Sequence, residues 1–316
     1  MISSLLVLSA LPVQLPPTFK IASQRTLTGV RAVSIACAPT GAKVAIGIED
    51  GTIRIVDATT GQTIKTLKGH TQAAQALAWS PDGKTIVSGD ETARIFFWST
   101  KTWAKTKEMR PHTRPVQALA YNRKGNLLVS TGQDDKVMLW ALSDTKKPKL
   151  DYAGKGANLY SARFVGASDN IIMGTLTASA RLITPAAVTK MSFVGHNATG
   201  INDVDVNAAG TRTVTAGRDN TIGLFETASG KRLGYFRGHT DWVQRVLFSP
   251  NGKWIASSSS DGTVRVWNIN NFLAVAHVAQ QRPVGSPLGF TGDGKYFITV
   301  DSFDYPIIHK LGLIVK

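Results

Sequence analysis

Four histidines follow a glycine or a proline: Gly69-His70, Pro111-His112, Gly195-His196 and Gly238-His239. Their spacings are 42, 84 and 43 residues, so one period of about 42 runs through the chain with one member missing. Aromatic residues keep the same beat. Trp98, Trp140, Phe225 and Trp267 lie 42, 85 and 42 apart, and Val56 stands 42 before Trp98. Two independent markers in one phase signal a repeat architecture, in which no unit buries its apolar face alone and neighbours complete the core.

Each period reads as short strands and turns. Within residues 238–278, Val243 to Phe248, Trp254 to Ser257, Thr263 to Trp267 and Phe272 to Val278 alternate apolar and polar residues. Ser249-Pro250-Asn251-Gly252 and Asp261-Gly262 punctuate them. The pattern predicts an antiparallel meander, and Ser80-Pro81-Asp82-Gly83 and Asp50-Gly51-Thr52-Ile53-Arg54 repeat its grammar.

The stretch GHTDWVQRVLFSPNGKWIASSSSDGTVRVWN (238–268) resembles a WD-repeat, the unit of WD-repeat β-propellers. The units starting near Gly69, Pro111 and Gly195 resemble degraded copies, and those in the first, fourth and seventh positions match by phase. At ~40–45 residues per blade, the chain from residue 27 holds about seven. The expected fold is therefore all-β: a seven-bladed propeller of four-stranded antiparallel blades near 27–67, 68–109, 110–151, 152–193, 194–236, 237–278 and 279–316. The last blade offers only three clear strands: Val284 to Phe290, Tyr296 to Val300 and Ile307 to Ile314. As in closed rings of this family, residues 18–26 are expected to supply its fourth strand, so residues 18–316 form one ring.

Composition narrows the function. The chain has 316 residues, 43% of them hydrophobic, enough for a large core. One cysteine, Cys37, excludes an intramolecular disulfide and a thiolate-rich zinc site, and its apolar strand marks it as an inert core thiol. No apolar run reaches the ~20 residues of a membrane-spanning helix. Residues 1–17 form an apolar N-terminal arm or a weak signal peptide. Ile2 to Leu11 has the length of a secretory core, but no Lys or Arg precedes it and the cleavage site around Leu8 and Ala10 is poor. The compartment is exported or periplasmic in one case and cytoplasmic in the other. No HExxH, CxxC, Walker loop or EF-hand spacing occurs, so no metal or cofactor is expected.

The resemblance assigns a hydrogen-bond tetrad to each well-formed blade. In the sixth these are His239, Ser257, Asp261 and Trp267. In the third they are His112, Ser130, Asp134 and Trp140. In the fifth, His196, Thr215 and Asp219 remain while Phe225 replaces the tryptophan. In the second, His70, Ser88 and Trp98 remain, with Thr92 where the turn aspartate belongs. Val30, Ile46 and Val56 make the first blade apolar apart from Asp50. A Ser-His-Asp set invites a hydrolase reading, but a set recurring once per period reads as structure, so no catalytic residue is assigned. His277 and His309 fall outside the tetrads.

Function is then expected on the ring's faces, as a protein-interaction scaffold and a monomer. Family contact positions carried onto the sixth blade are Trp242, Gln244 and Ser260. The same phase gives Arg31 and Glu49, Gln75 and Glu91, Gln117 and Gln133, Asn158 and Tyr160, Asn202 and Arg218. Trp242 stands out, because aromatics dominate binding hot spots. A rival comes from charge: 36 Lys and Arg against 21 Asp and Glu give a net +15. Residues 101–155 concentrate it in Lys101, Lys105, Lys107, Arg110, Arg114, Arg123, Lys124, Lys146, Lys147 and Lys149, a flank suited to nucleic acid or another polyanion. Aromatic interleaving there is thin, so nucleic acid is not favoured. A hydrolase with a site at the channel mouth is a second rival.

Overall fold

The computed structural model describes residues 19–154, 159–177, 179–197, 200–279 and 287–313. They form seven four-stranded antiparallel sheets. In blade 6 the strands Val243–Phe248, Trp254–Ser259, Thr263–Asn268 and Ala274–Ala279 pair in sequence order from the innermost outward. Blades 1 to 5 repeat this, with innermost strands Ala32–Cys37, Ala76–Trp79, Val116–Tyr121, Ser161–Phe164 and Ile201–Val206. Phe272, expected to open the outer strand of blade 6, instead sits in the preceding turn with φ +61°.

Seven apolar clusters fill the seams, each joining two consecutive blades. Val214, Phe236, Val246 and Trp267 join blades 5 and 6, while Val266, Leu288 and Phe297 join 6 and 7. Ile46, Val56, Ile298 and Val300 join blade 7 back to blade 1, which closes the circle. A sheet buried on both faces explains runs such as Ile95–Ser99, where alternation gives way to continuous apolarity. Each blade's apolar faces are covered only by its neighbours, so the ring rather than the blade is the stable unit.

Blade 7 is completed by the other end of the chain. Its sheet runs Gly289–Phe290, Tyr296–Val300, Pro306–Leu313, then Phe19–Thr26 outermost. The N-terminal strand pairs antiparallel from Phe19↔Leu313 to Thr26↔Ile307, with an irregularity between Ile21 and Ser23. The expected first strand of this blade, Val284 to Phe290, is much shorter among the described residues. Residues 284–286 and the arm 1–17 lie outside them.

The turns are built by side chains. In blade 2, Asp82 Oδ1 accepts from Ser80 Oγ (2.6 Å) and the Lys84 amide (3.0 Å). Asn251 does the same in blade 6, accepting from Ser249 Oγ at 2.7 Å and the Lys253 amide at 3.0 Å. Gly83 and Gly252 follow with φ of +68° and +66°, the left-handed conformation that favours glycine.

Candidate functional site

Two polar systems recur around the ring: a sealed one between strands and an open one on the loop face. In blade 6, His239 Nδ1 lies 2.8 Å from Asp261 Oδ2 and Nε2 lies 2.8 Å from Ser257 Oγ. Trp267 Nε1 donates to the same Ser257 Oγ at 2.8 Å. A carboxylate only accepts, so His239 Nδ1 carries the proton and Nε2 accepts from the Ser257 hydroxyl. Blade 3 repeats the set with His112–Asp134 at 2.9 Å, His112–Ser130 at 2.8 Å and Trp140–Ser130 at 3.1 Å. In blade 5, His196 meets Asp219 at 2.8 Å and Thr215 at 2.6 Å, while Phe225 offers no donor.

Blade 2 corrects one expectation. Thr92 does not leave the set short of an acid, because Asp90 provides it, 2.8 Å from His70 Nδ1. His70 Nε2 reaches Ser88 Oγ at 2.6 Å, and Trp98 donates to Ser88 at 2.8 Å. Asp90 stands two residues after the serine instead of four. The equivalent positions in blades 3 and 5 are Gly132 and Gly217, where a Cβ would come 2.5 and 2.2 Å from the histidine Nδ1. The hole that glycine leaves for a carboxylate from the turn is filled in blade 2 by a carboxylate rooted in the hole itself. Arg94 adds a 3.1 Å ion pair to Asp90, and Thr92 donates to Asp90 at 2.8 Å.

Blade 7 holds a variant that the phase alone could have revealed. His309 lies 42 residues after Trp267 and Thr299 lies 42 after Ser257. Thr299 Oγ1 and His309 Nε2 are 2.8 Å apart and fully buried, so histidine replaces the indole.

These sets have the order of a Ser-His-Asp nucleophile, but Ser88, Ser130, Thr215 and Ser257 are 0% exposed. In blades 2, 3 and 6 an indole N–H also occupies a lone pair of the hydroxyl. A nucleophile needs room beside it for a reacting carbon, and here that space is filled. Among the described residues no group of three or more His, Cys, Asp and Glu could hold a metal. No helix among them is long and apolar enough to cross a membrane. Burial, helped by Asp293, pushes the Cys37 thiol up to about 12, which keeps it protonated.

Burial also sets the acid limb of stability. It pushes His112 and His239 below the usual imidazole range despite Asp134 and Asp261, and lowers His309 to about 4. Unfolded histidines take up protons near ~6.5, before these do, so protons favour the unfolded chain as the pH falls below that value. Asp205 works the other way. Burial raises it to about 6, against the nearby Arg163, so it gains stability as the pH falls from 6 towards 4. Asp90, Asp219 and Asp261 resist burial through bonds from His70, His196, Thr263 and His239, and sit at about 2. Their contribution is present above ~4 and is lost as the pH falls through 2. Three imidazoles outweigh one carboxyl, so the melting temperature is expected to fall from pH 7 to 4 and then more steeply. A melting temperature that rises towards pH 4 contradicts this.

The open system pairs the start of an inner strand with the turn between the next two strands. Arg31 meets Glu49 at 3.6 Å, Gln244 Nε2 donates to Ser260 Oγ at 2.7 Å, and Gln75 Nε2 donates to Glu91. Gln117 reaches across to Gln75 at 3.3 Å rather than to Gln133. Asn202 is buried; its Oδ1 accepts from Arg218 Nε at 2.8 Å while its Nδ2 donates to the Val243 carbonyl at 2.9 Å. Trp242 is 44% exposed, with the Arg218 guanidinium 4.7 Å from its ring centre. Arg218 is also 5.9 Å from the Tyr160 ring. Asn158 lies outside the described residues. The family resemblance places these side chains on one face, and the Arg218 guanidinium of blade 5 comes within 6 Å of the ring centres of Tyr160 in blade 4 and Trp242 in blade 6.

Sequence reading missed a contact under this face. Asp203 and Asp205, two apart on one strand, accept from the Val246 amide (3.2 Å) and the Phe248 amide (2.8 Å) of blade 6. Acids at i and i+2 on an apolar strand were the available signal, since period 2 puts both on one face.

A family model, "WD domain, G-beta repeat", matches residues 61–99, 103–141, 188–226 and 230–268. With seven such sheets closed into a circle, that decides the family. The chain is a WD-repeat β-propeller. Each match runs from the outermost strand of the preceding blade through the first three strands of blade 2, 3, 5 or 6, where the histidine sets occur. The WD-repeat chain is 28% identical over 107 residues to nuclear distribution protein PAC1 of Candida tropicalis, covering 28% of this chain and 22% of that protein. It is 28% identical over 137 residues to pre-mRNA-processing factor 19 of Bos taurus, covering 41% of this chain and 27% of the relative. The matched stretches thus span about a quarter of these curated relatives.

Proposed function

We propose that this propeller is a non-catalytic protein-interaction scaffold that binds a protein or peptide segment on its loop face, with Trp242 as the principal contact. The observation that carries this reading is an exposed tryptophan stacked on an anchored arginine, on a ring whose histidine sets are sealed. A rigid ring holds such groups in place before binding, so little conformational entropy is lost on association. The sealed sets serve the scaffold by satisfying buried polar atoms between strands, each worth ~1–3 kcal/mol if orphaned.

Trp242→Ala is expected to weaken capture of the partner from the native source by ~10-fold or more while leaving the melting temperature unchanged. Undiminished capture by the variant removes Trp242 from the site. The polyanion reading has less support. Lys105 is paired with Glu108 at 2.8 Å and Lys136 with Asp151 at 2.9 Å, so part of the basic flank is neutralised locally.

A further inference from the structure

Arg218 is both held in place and left with free donors. Its Nε is bonded to Asn202, which is itself tied to the backbone of blade 6, and its amide donates to the Gly200 carbonyl at 3.1 Å. Tyr160 and Trp242 contribute a ring from each neighbouring blade. Among the described residues no carboxylate forms an ion pair with it, whereas Arg31, Arg94 and Arg163 pair with Glu49, Asp90 and Asp205. The neighbouring acids are engaged elsewhere. Asp219 accepts from His196, Thr221 and the Asn197 amide, and Asp241 accepts from the Trp242 amide.

A second cation lies close by. A cleft of about 240 Å³ is lined by Arg114, Gly132, Gln133, Leu159 and Tyr160. Arg114 is exposed and, among the described residues, also lacks a carboxylate partner. Tyr160 therefore lines a cleft with one unpaired arginine and stands beside another. Glu49, Asp50 and Glu91 are exposed on blades 1 and 2, whereas on blades 3, 5 and 6 the turn acids Asp134, Asp219 and Asp261 are bonded to histidines and the exposed Asp241 accepts from the Trp242 amide.

We propose that the loop face of blades 3 to 6 binds an extended acidic segment of a partner polypeptide, with one Asp or Glu carboxylate held on the free Nη groups of Arg218. This rests on the scaffold reading above. With Nε occupied, the guanidinium keeps an edge whose two donors match a planar carboxylate. Arg114 takes a second acid of the same segment, and Gln133 and Trp242 flank the chain between polar and aromatic contacts. The net charge of +15 favours encounter with an acidic partner from a distance. A nucleic-acid strand would call for a continuous cationic track with several stacking rings. Here two cations are separated by neutral side chains.

The test uses the full chain and short labelled peptides that are rich in Glu, the same peptide with Gln throughout, its phosphoserine version, and oligothymidylate. The Glu peptide is expected to bind more weakly as salt rises, and the Gln peptide not to bind. Arg218→Gln is expected to lower affinity by at least ~10-fold. Arg218→Lys, which keeps the charge but not the fork, is expected to fall between, and Lys105→Gln to bind normally. Equal binding by Arg218→Gln, or no binding of the Glu peptide, overturns the proposal. So does tighter binding of the phosphopeptide or oligothymidylate. Capture of the native partner by wild type but not by Trp242→Ala, without Glu-peptide binding, sinks the acidic segment and leaves the scaffold reading standing. Loss of both sinks the scaffold reading as well.

Discussion

Removal of the strand Phe19–Thr26 is expected to abolish the soluble folded protein. That strand covers the outer edge of Pro306–Leu313 along its length. Without it, a row of backbone donors and acceptors is exposed, an invitation to pair with another chain. The seam beneath joins Val30, Ile46 and Val56 to Ile298, Val300 and Ile308, and it is where the two ends of the ring meet. Opening that seam exposes apolar faces on both sides, and a domain has only ~5–15 kcal/mol of net stability to lose. Size-exclusion chromatography of the truncated chain is expected to show aggregate, and a synthetic Phe19–Thr26 peptide to rescue part of it. A monomeric truncation that melts with the intact protein would mean that the circle is held shut elsewhere.

The second large effect is expected at Trp267. Its side chain is 1% exposed, donates to Ser257 and packs with Phe236, ring centres 5.8 Å apart, and with His239 at 5.7 Å. Trp267→Ala empties this space in the seam between blades 5 and 6. The cost is ~3–5 kcal/mol for the cavity, and the lost indole bond adds ~1 kcal/mol. Trp267→Phe separates the two contributions. It keeps an aromatic body and loses the donor, as Phe225 does naturally in blade 5, so a drop of ~1–2 kcal/mol is expected in denaturant unfolding. If the alanine variant were no less stable than the phenylalanine variant, packing at this position would not matter.

The period was legible because the tetrad needs the same residue types at the same phase in each good blade, and strand alternation with Pro-Gly and Asp-Gly turns supplied the rest. Its failures have local causes. The role of Asp90 is hidden from spacing because it depends on a space that glycine leaves in blades 3 and 5. His309 falls outside the expected tetrads because a histidine stands there in the tryptophan's phase, although Thr299 precedes it by ten residues, as Ser257 precedes Trp267. Blade 4 gives no polar signal since Met173 and Ile183 stand at the serine and tryptophan positions. The contact of Arg218 with Tyr160 and Trp242 depends on how three blades are juxtaposed, and no one repeat contains that information.

The central claim is a division of labour between the sealed sets, which hold the ring, and the open loop face, which binds. Two tryptophans test it side by side: Trp267 inside a set and Trp242 on the face. The melting temperatures of Trp267→Ala and Trp242→Ala, measured in one buffer against the unaltered chain, are predicted to diverge. The first should fall by at least ~6 °C, at ~1.5 °C per kcal/mol for a chain of this length and a cost of ~4 kcal/mol or more, and the second should stay at the wild-type value. Equal melting of both variants, or a drop confined to Trp242→Ala, would contradict the account.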